Sequence, residues 1–338
     1  MNIRIQSEEF EKKIFSNFAT LSSNSKGRKQ SEKKCDIRTE FQRDRDRIIH
    51  SKAFRRLKHK TQVFVAPEGD HFRTRLTHTL EVSQISRTLA RALKLNEDLV
   101  EAIALGHDLG HTPFGHTGEK ILNNLHPNGF KHNMQSIRVV DILESSSKRQ
   151  GLNLTYEVRE GIMYHSGRKS STTLEGQVVG ISDRIAYINH DIDDAIRANI
   201  IQESDLPEDC TKVLGHSHGE RINTMIVDVI KTSLDKDHIS MSSIIGSKTE
   251  KLRDFMFENV YYNDIVKSEE DKAEYIIREI YDYYYRNMDK LPFEYRRSFH
   301  DYQSTIEDKI CDYIAGMTDR FVINAFKDLF IPKSWEKY

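Results

Sequence analysis

Apolar positions in this 338-residue chain recur at helical spacing and almost nowhere alternate as a strand would. Residues 74 to 93 put Leu76, Leu80, Ile85, Leu89 and Leu93 on one helix, and His78 shares an inward stripe with Val82, Ile85 and Leu89. Asn96 before Glu97 and Asp98 reads as a helix start, a cap followed by acids that suit the N-terminal dipole. Leu99, Ile103 and Leu105 carry that helix to His107. Thr112-Pro113 reads as the cap and first-turn proline of a further helix, which sets His116 and Glu119 at i and i+3. Asn128-Gly129 marks a turn, and His132 precedes a helix built on Ile137, Val140 and Leu143.

From about Gln177 to Asn199 a long helix carries Val178, Ile181, Ile185, Ile188 and Ile192 on its apolar stripe. Asp183, Tyr187 and Asp191 stand at i, i+4 and i+8 on another face. Asp183 lies between Val-Val-Gly-Ile and Ile-Ala-Tyr-Ile, where an unpaired carboxylate is costly to desolvate. A polar linker from Gln202 to Lys212 leads to four amphipathic segments near 213–234, 248–262, 269–288 and 303–329, and a Pro-Glu-Gly-Asp turn falls at 67–70. The pattern predicts an all-α protein in three parts. These are a flexible polar arm over 1–35, a core over 36–200, and a helical part over 201–338 that completes the fold or an oligomer interface.

Charge narrows the partners. Lys plus Arg number 51 against 52 Asp plus Glu, so no global attraction draws the chain to nucleic acid or to an anionic membrane, and any anion site is local. No run approaches the roughly 20 apolar residues of a membrane helix, and Met-Asn-Ile-Arg-Ile-Gln-Ser-Glu-Glu lacks the apolar core of a signal peptide. The expectation is a cytoplasmic protein with no membrane partner. Cys35, Cys210 and Cys311 have no paired spacing and read as free thiols. The stretch from Asp36 to Val65 is basic, with Arg43, Arg45, Arg47, Lys52, Arg55, Arg56, Lys58 and Lys60 among Ile48, Ile49, Phe54 and Leu57. It is either a solvated helix face or a strip facing an anion. The aromatic run Tyr281-Asp-Tyr283-Tyr284-Tyr285 reads as packing or an interface in preference to base stacking.

Chemistry concentrates between Leu105 and Glu119, where His107, Asp108, His111, His116 and Glu119 lie among glycines at the end of an apolar run. An adjacent His-Asp pair offers an imidazole nitrogen and a carboxylate to one point, which suits a hard or borderline divalent cation. His78 upstream and Asp183 downstream extend the pair to a His, His-Asp, Asp set. Two His and two Asp leave coordination positions open, which suits Mn²⁺, Mg²⁺, Fe or Co over a closed tetrahedral zinc.

With these residues in view the chain resembles the HD-domain metal-dependent phosphohydrolases, and among them the deoxynucleoside triphosphate triphosphohydrolases, dGTPase-like proteins of the short bacterial branch. The segments that carry the resemblance are Arg-Asp-Arg-Asp-Arg-Ile-Ile-His-Ser at 43–51, Phe-Arg-Arg-Leu at 54–57, Arg-Thr-Arg-Leu-Thr-His at 73–78 and the 105–119 stretch. Ser-Asp-Arg-Ile-Ala-Tyr at 182–187 and Asp-Tyr-Ile-Ala-Gly-Met-Thr-Asp-Arg at 312–320 complete it. The resemblance implies an HD-domain helical bundle with additional C-terminal helices. It implies His78, His107, Asp108 and Asp183 as metal ligands, and His116, Glu119 and His111 as catalytic groups. Arg75, His132 and Arg184 would contact phosphate, while Gln62, Tyr187 and Asp191 would contact the sugar. The implied reaction is hydrolysis of a dNTP to deoxynucleoside and triphosphate by water attack at the α-phosphorus. A homo-oligomer with a dNTP activator site is implied too, and a weak nucleic-acid contact through 43–60 belongs to the alternative of a nucleotide- or nucleic-acid-binding regulator. An HD phosphohydrolase of another phosphoester class is the remaining alternative.

Overall fold

The computed structural model describes residues 2–62, 72–146, 149–261, 263–296 and 304–333. Among them are sixteen α-helices and no strand, only isolated bridges, so the expected all-α class holds. The turn expected at 67–70 lies outside the described residues. The chain opens on α1 (Ile3–Ile14), then α2 (Glu40–Ile49), the short α3 (Lys52–Arg56), α4 (Arg75–Ala92), α5 (Glu97–Gly106) and α6 (Gly115–Leu125). It continues through α7 (His132–Arg138), α8 (Tyr156–Tyr164), α9 (Leu174–Arg197), α10 (Glu208–Leu214) and α11 (His218–Ser233). The last elements are α12 (Ser243–Met256), α13 (Asp264–Arg286), α14 (Phe293–Arg296), α15 (Ile306–Ala315) and α16 (Asp319–Phe330).

The centre is α5. Leu-Val-Glu-Ala-Ile-Ala-Leu-Gly is apolar almost all round, and a helix of that kind must be wrapped on every side. Leu99, Val100, Ala102, Ile103, Ala104, Leu105 and Gly106 are all buried, with α2, α4, α8 and α9 packed around them. Each Leu or Ile so enclosed contributes about 1.5–3 kcal/mol. Asn96 caps this helix as its sequence predicts, its Oδ1 accepting from Leu99 N at 3.3 Å. A second apolar cluster joins Phe114, Ile121 and Leu122 to Ile277 and Tyr284 of α13, Ile310 and Ile314 of α15, and Val322 of α16. The aromatic run belongs to it: Tyr281 and Tyr284 are buried, and Tyr284 meets Tyr313 edge-on at 5.2 Å.

Several boundaries differ from the sequence pattern. Residues 1–35, expected as a flexible arm, hold α1 and lie bonded along the body. Glu11 accepts from Ser22 N and Oγ, both at 2.7 Å, and Glu175 of α9 accepts from Thr20 N at 2.9 Å and Oγ1 at 2.8 Å. The expected linker 202–212 contains most of α10, because Cys210 and Leu214 bury against the core. The segment near 303–329 is two helices, broken at Gly316–Thr318, with Thr318 capping the second. α8 has no counterpart in the pattern as read; Val158 and Ile162 bury one turn apart against α5 and α9. α7 runs only to Arg138 and widens into a π-helical turn over Val139–Leu143.

Candidate metal centre

Three elements deliver the site. α4 carries His78 near its start, the residues after α5 carry His107 and Asp108, and the middle of α9 carries Asp183. The distances from His78 Nε2 to Asp183 Oδ1 and Asp108 Oδ2 are 3.1 and 3.9 Å; from His107 Nε2 to Asp108 Oδ1 and Asp183 Oδ1 they are 3.5 and 3.8 Å. Each carboxylate thus has an oxygen within 4 Å of both imidazole nitrogens; His78, His107 and Asp108 form the tightest group, and Asp183 stands beside it. His107 Nδ1 lies 2.6 Å from Ala104 O, which fixes that nitrogen as the donor and leaves Nε2 as a lone pair. That Nε2 is buried and without a hydrogen-bond partner among the described residues. Although burial opposes it, the His78 hydrogen bond holds Asp183 well below the usual carboxylate range, and the Arg75 guanidinium does the same for Asp108. Two ionised carboxylates and a stranded imidazole lone pair form a donor set that fits a divalent cation.

The loop between α5 and α6 is pinned from both sides. Ser136 Oγ of α7 donates to His107 O at 2.8 Å and accepts from Gly110 N at 2.9 Å. A Cβ on Gly110 would sit 2.1 Å from Ser136 N, so the loop lies directly on the α7 backbone. Thr112, expected to cap α6, instead donates from Oγ1 to Gly115 O at 2.9 Å, and the helix starts at Gly115. The delay has a visible cause: Phe114 and Gly115 both take left-handed angles, φ 60° and 57°, and turn the chain before it can coil. Asp319 at the start of α16 secures that turn, accepting from Phe114 N and Thr61 N at 3.0 Å each.

Around the four ligands stand the other candidates. Arg75 is buried and donates from Nη1 to Asp108 Oδ2 at 2.8 Å, while its Nε and Nη2 have no partner among the described residues. Gln62 is buried beside it, both residues closing on Gly115. Glu119 accepts from the His132 backbone N at 2.8 Å and stands 3.0 Å from His132 Nδ1; His116 Nδ1 is 3.7 Å from it and His111 Nε2 4.0 Å. His116 is 80% exposed, whereas His111 is buried and stacks on His132 with centroids 4.7 Å apart. Burial and Arg75 push His111 well below its usual value, which keeps it neutral. Tyr187 and Asp191 follow Asp183 along α9. Burial pushes the Tyr187 phenol up to about 12 and the Asp191 carboxyl up to about 6, and Tyr261 donates to Asp191. Arg184 is turned away from this group and pairs with Glu250 of α12 at 2.8 Å, half exposed.

The basic stretch is largely occupied by its own chain. Arg43 pairs with Glu32 and Glu40, Arg45 with Asp98 and Glu101, and Arg47 with Glu32. Lys60 is fully buried, donating to His111 O and to Ala315 O, and burial pushes its ammonium down to about 7. Sequence reasoning passed over His165 at the end of α8, which is buried with its ring 5.0 Å from that of His107. It also passed over Tyr261 and the anchoring role of Asp319. A solitary His-Ser-Gly in a polar stretch gives no local signal; only the fold sets it among the others. A cavity of about 600 Å³ is lined by Leu109 and Gly110 but by none of the four ligands, so converging side chains, not cavity size, mark this site.

The HD domain family matches residues 75–188, and the phosphohydrolase-associated domain family matches residues 239–328. A deoxyguanosinetriphosphate triphosphohydrolase-like protein of Caldanaerobacter subterraneus subsp. tengcongensis is 57% identical, covering 99% of this chain and 98% of its own. Proteins of the same name from Clostridium tetani and Bordetella pertussis are 49% and 42% identical, covering 98% and 93% of this chain and 97% and 95% of their own. The crystal structure of a hypothetical protein from Aquifex aeolicus shares the fold at a TM-score of 0.50 and 20% identity, covering 86% of this chain and 68% of that one.

Proposed function

The chain belongs to the family of deoxyguanosinetriphosphate triphosphohydrolase-like proteins built on an HD domain, and from that premise we propose that it hydrolyses dNTPs to deoxynucleoside and triphosphate. The observation that carries the proposal is the convergence of His78, His107, Asp108 and Asp183. A divalent cation held by these four, Mn²⁺, Mg²⁺, Fe or Co, would supply Lewis-acid neutralisation of the α-phosphate and a more acidic water. Arg75 brings a buried guanidinium with two nitrogens that have no partner among the described residues, as a phosphate clamp requires. His111, neutral and close to Glu119, and His116, exposed at the mouth, are the groups suited to moving a proton at the reacting oxygens, a step worth about 10²–10⁴-fold. Gln62, Tyr187 and Asp191 form the sugar side, where the uncharged Tyr187 phenol closes space beside Asp183 and Asp191 accepts from a 3′-hydroxyl.

In this reading 36–200 is the catalytic core and 201–338 completes it, with α13, α15 and α16 closing over α6. Arg184 reaches phosphate only by leaving Glu250. A dNTP activator, a homo-oligomer and a cytoplasmic setting are parts of the same proposal. Among the described residues no helix is long and apolar enough to cross a membrane. The pairing of Arg43, Arg45 and Arg47 with acids of the same chain weighs against nucleic-acid binding through 43–60. The test is product analysis with each dNTP and with GTP, singly and mixed, in Mn²⁺ and in Mg²⁺, beside Asp108→Ala. Deoxynucleoside plus intact triphosphate, absent in the variant, is the expected outcome. No product from any single nucleotide or mixture would redirect the assignment to another phosphoester.

A further inference from the structure

Two histidines and a carboxylate form a chain beside the metal centre, and its hydrogen bonds have a direction. His165 Nδ1 lies 2.7 Å from Ile162 O. A carbonyl only accepts, so Nδ1 carries a proton and the neutral ring presents a lone pair at Nε2. His132 Nε2 is 3.2 Å from that lone pair and must donate to it. The other nitrogen of His132 stands 3.0 Å from both oxygens of Glu119, which accept only as a carboxylate. We infer that His165 is a positioning residue that fixes His132 as a doubly protonated imidazolium, a stationary cation for the substrate's phosphates, an inference that rests on the phosphohydrolase reading above.

The charge belongs on His132 and not on His165. His165 is enclosed, with the rings of His107 and His132 at 5.0 and 5.3 Å, and its Nδ1 meets only a neutral carbonyl, whereas His132 faces the Glu119 carboxylate. Around His132 the facing groups are Glu119 from α6, His111 and Asp108 from the loop, Arg75 from α4 and His165 from the end of α8. Burial opposes its protonation, yet the Glu119 hydrogen bond raises it. Two consequences follow for the site. Donor atoms of Asp108, His111 and His132 lie within 4.8 Å of one another, but an imidazolium has no lone pair to give, so while protonated His132 acts as a charge beside the ligand set and not as a member of it. The two stacked rings also divide their labour: His132 supplies fixed charge, and neutral His111 keeps the freedom to move a proton.

The test is ¹⁵N-histidine NMR of the Mg²⁺-loaded protein at neutral pH, beside steady-state hydrolysis. His132 is expected to show protons on both ring nitrogens and His165 on Nδ1 alone. His165→Leu removes the acceptor, so His132 should lose the imidazolium signature and kcat/KM should fall about tenfold or more, as when the outer partner of a site histidine is lost. His165→Gln, whose amide can accept from His132 and donate to Ile162 O, should keep both. A neutral His132 in the native protein, an unchanged signature in folded His165→Leu, or Gln behaving as Leu overturns the inference. Should His165→Leu not fold, the native and Gln spectra decide. Native protein that turns over no dNTP yet shows the predicted His132 signature would overturn the function and keep the positioning role; turnover with a neutral His132 does the reverse.

Discussion

At the scale of single residues, each of two carboxylates has an oxygen within 4 Å of both imidazole nitrogens, and Arg75 pairs with only one of the two. A cation at roughly 100 times its dissociation constant stabilises the fold by about 2.7 kcal/mol. Thermal unfolding with and without EDTA should therefore show a metal-dependent shift that vanishes in Asp183→Ala. Lys60 gives a pH signature. Its ammonium sits near 7 folded against 10.5 ordinarily, so between those values the unfolded chain binds a proton that the folded chain does not, and stability rises with pH across that window. Urea unfolding of the native protein relative to Lys60→Met should show that rise, and a flat or falling difference from pH 7 to 10.5 would contradict the burial argument. The sequence places His78 inward by its stripe, and it is buried; Leu80, on the same expected helix, is 51% exposed. Periodicity locates a face but cannot say where packing on it ends. His165 was illegible for another reason: its partner His132 is 33 residues away, and only the packing of α7 on α8 brings them together.

At the scale of elements, long amphipathic helices and their caps were readable because each signal lies within one turn of chain. Breaks and tethers were not. The start of α6 depends on Asp319, more than 200 residues away, and the left-handed turn at Phe114 is set by that tether and not by Thr112-Pro113. Asp319→Ala leaves the Thr61 and Phe114 amides unsatisfied, at a cost of about 1–3 kcal/mol. The loop carries His111 and sets the start of the helix that carries His116 and Glu119, so kcat should drop further than the melting temperature alone explains; unaltered kinetics in a destabilised variant would mean that the tether serves stability only. Gly110→Ala sets a methyl 2.1 Å from the Ser136 nitrogen, backbone against backbone, and should cost about 1–3 kcal/mol through forced displacement. Circular dichroism melts of the variant would check it.

At the scale of the whole molecule, the arm is a brace. Arg28 reaches Glu40, Asp44 and Asn153 O, and Asp44 is wholly buried. Removing one partner of a buried ion pair costs about 3–5 kcal/mol, so Arg28→Ala should lower denaturant stability by that order even though it lies far from the metal candidates in sequence. A change under 1 kcal/mol would show that water replaces the guanidinium. The two apolar clusters meet at the loop: Leu105 and Leu109 belong to the first, Phe114 to the second. That seam was invisible in the sequence because the 312–320 segment carries resemblance without disclosing what it touches.

Lys60 and Asp319 bear on timing. The ribosome delivers His78, His107, Asp108 and Asp183 well before Ala315 and Asp319, and domains begin folding as they emerge. A nascent chain can thus gather its metal ligands while the loop between α5 and α6 still lacks its last two anchors. On the proposed function, hydrolysis would wait until the final helices dock and supply those anchors.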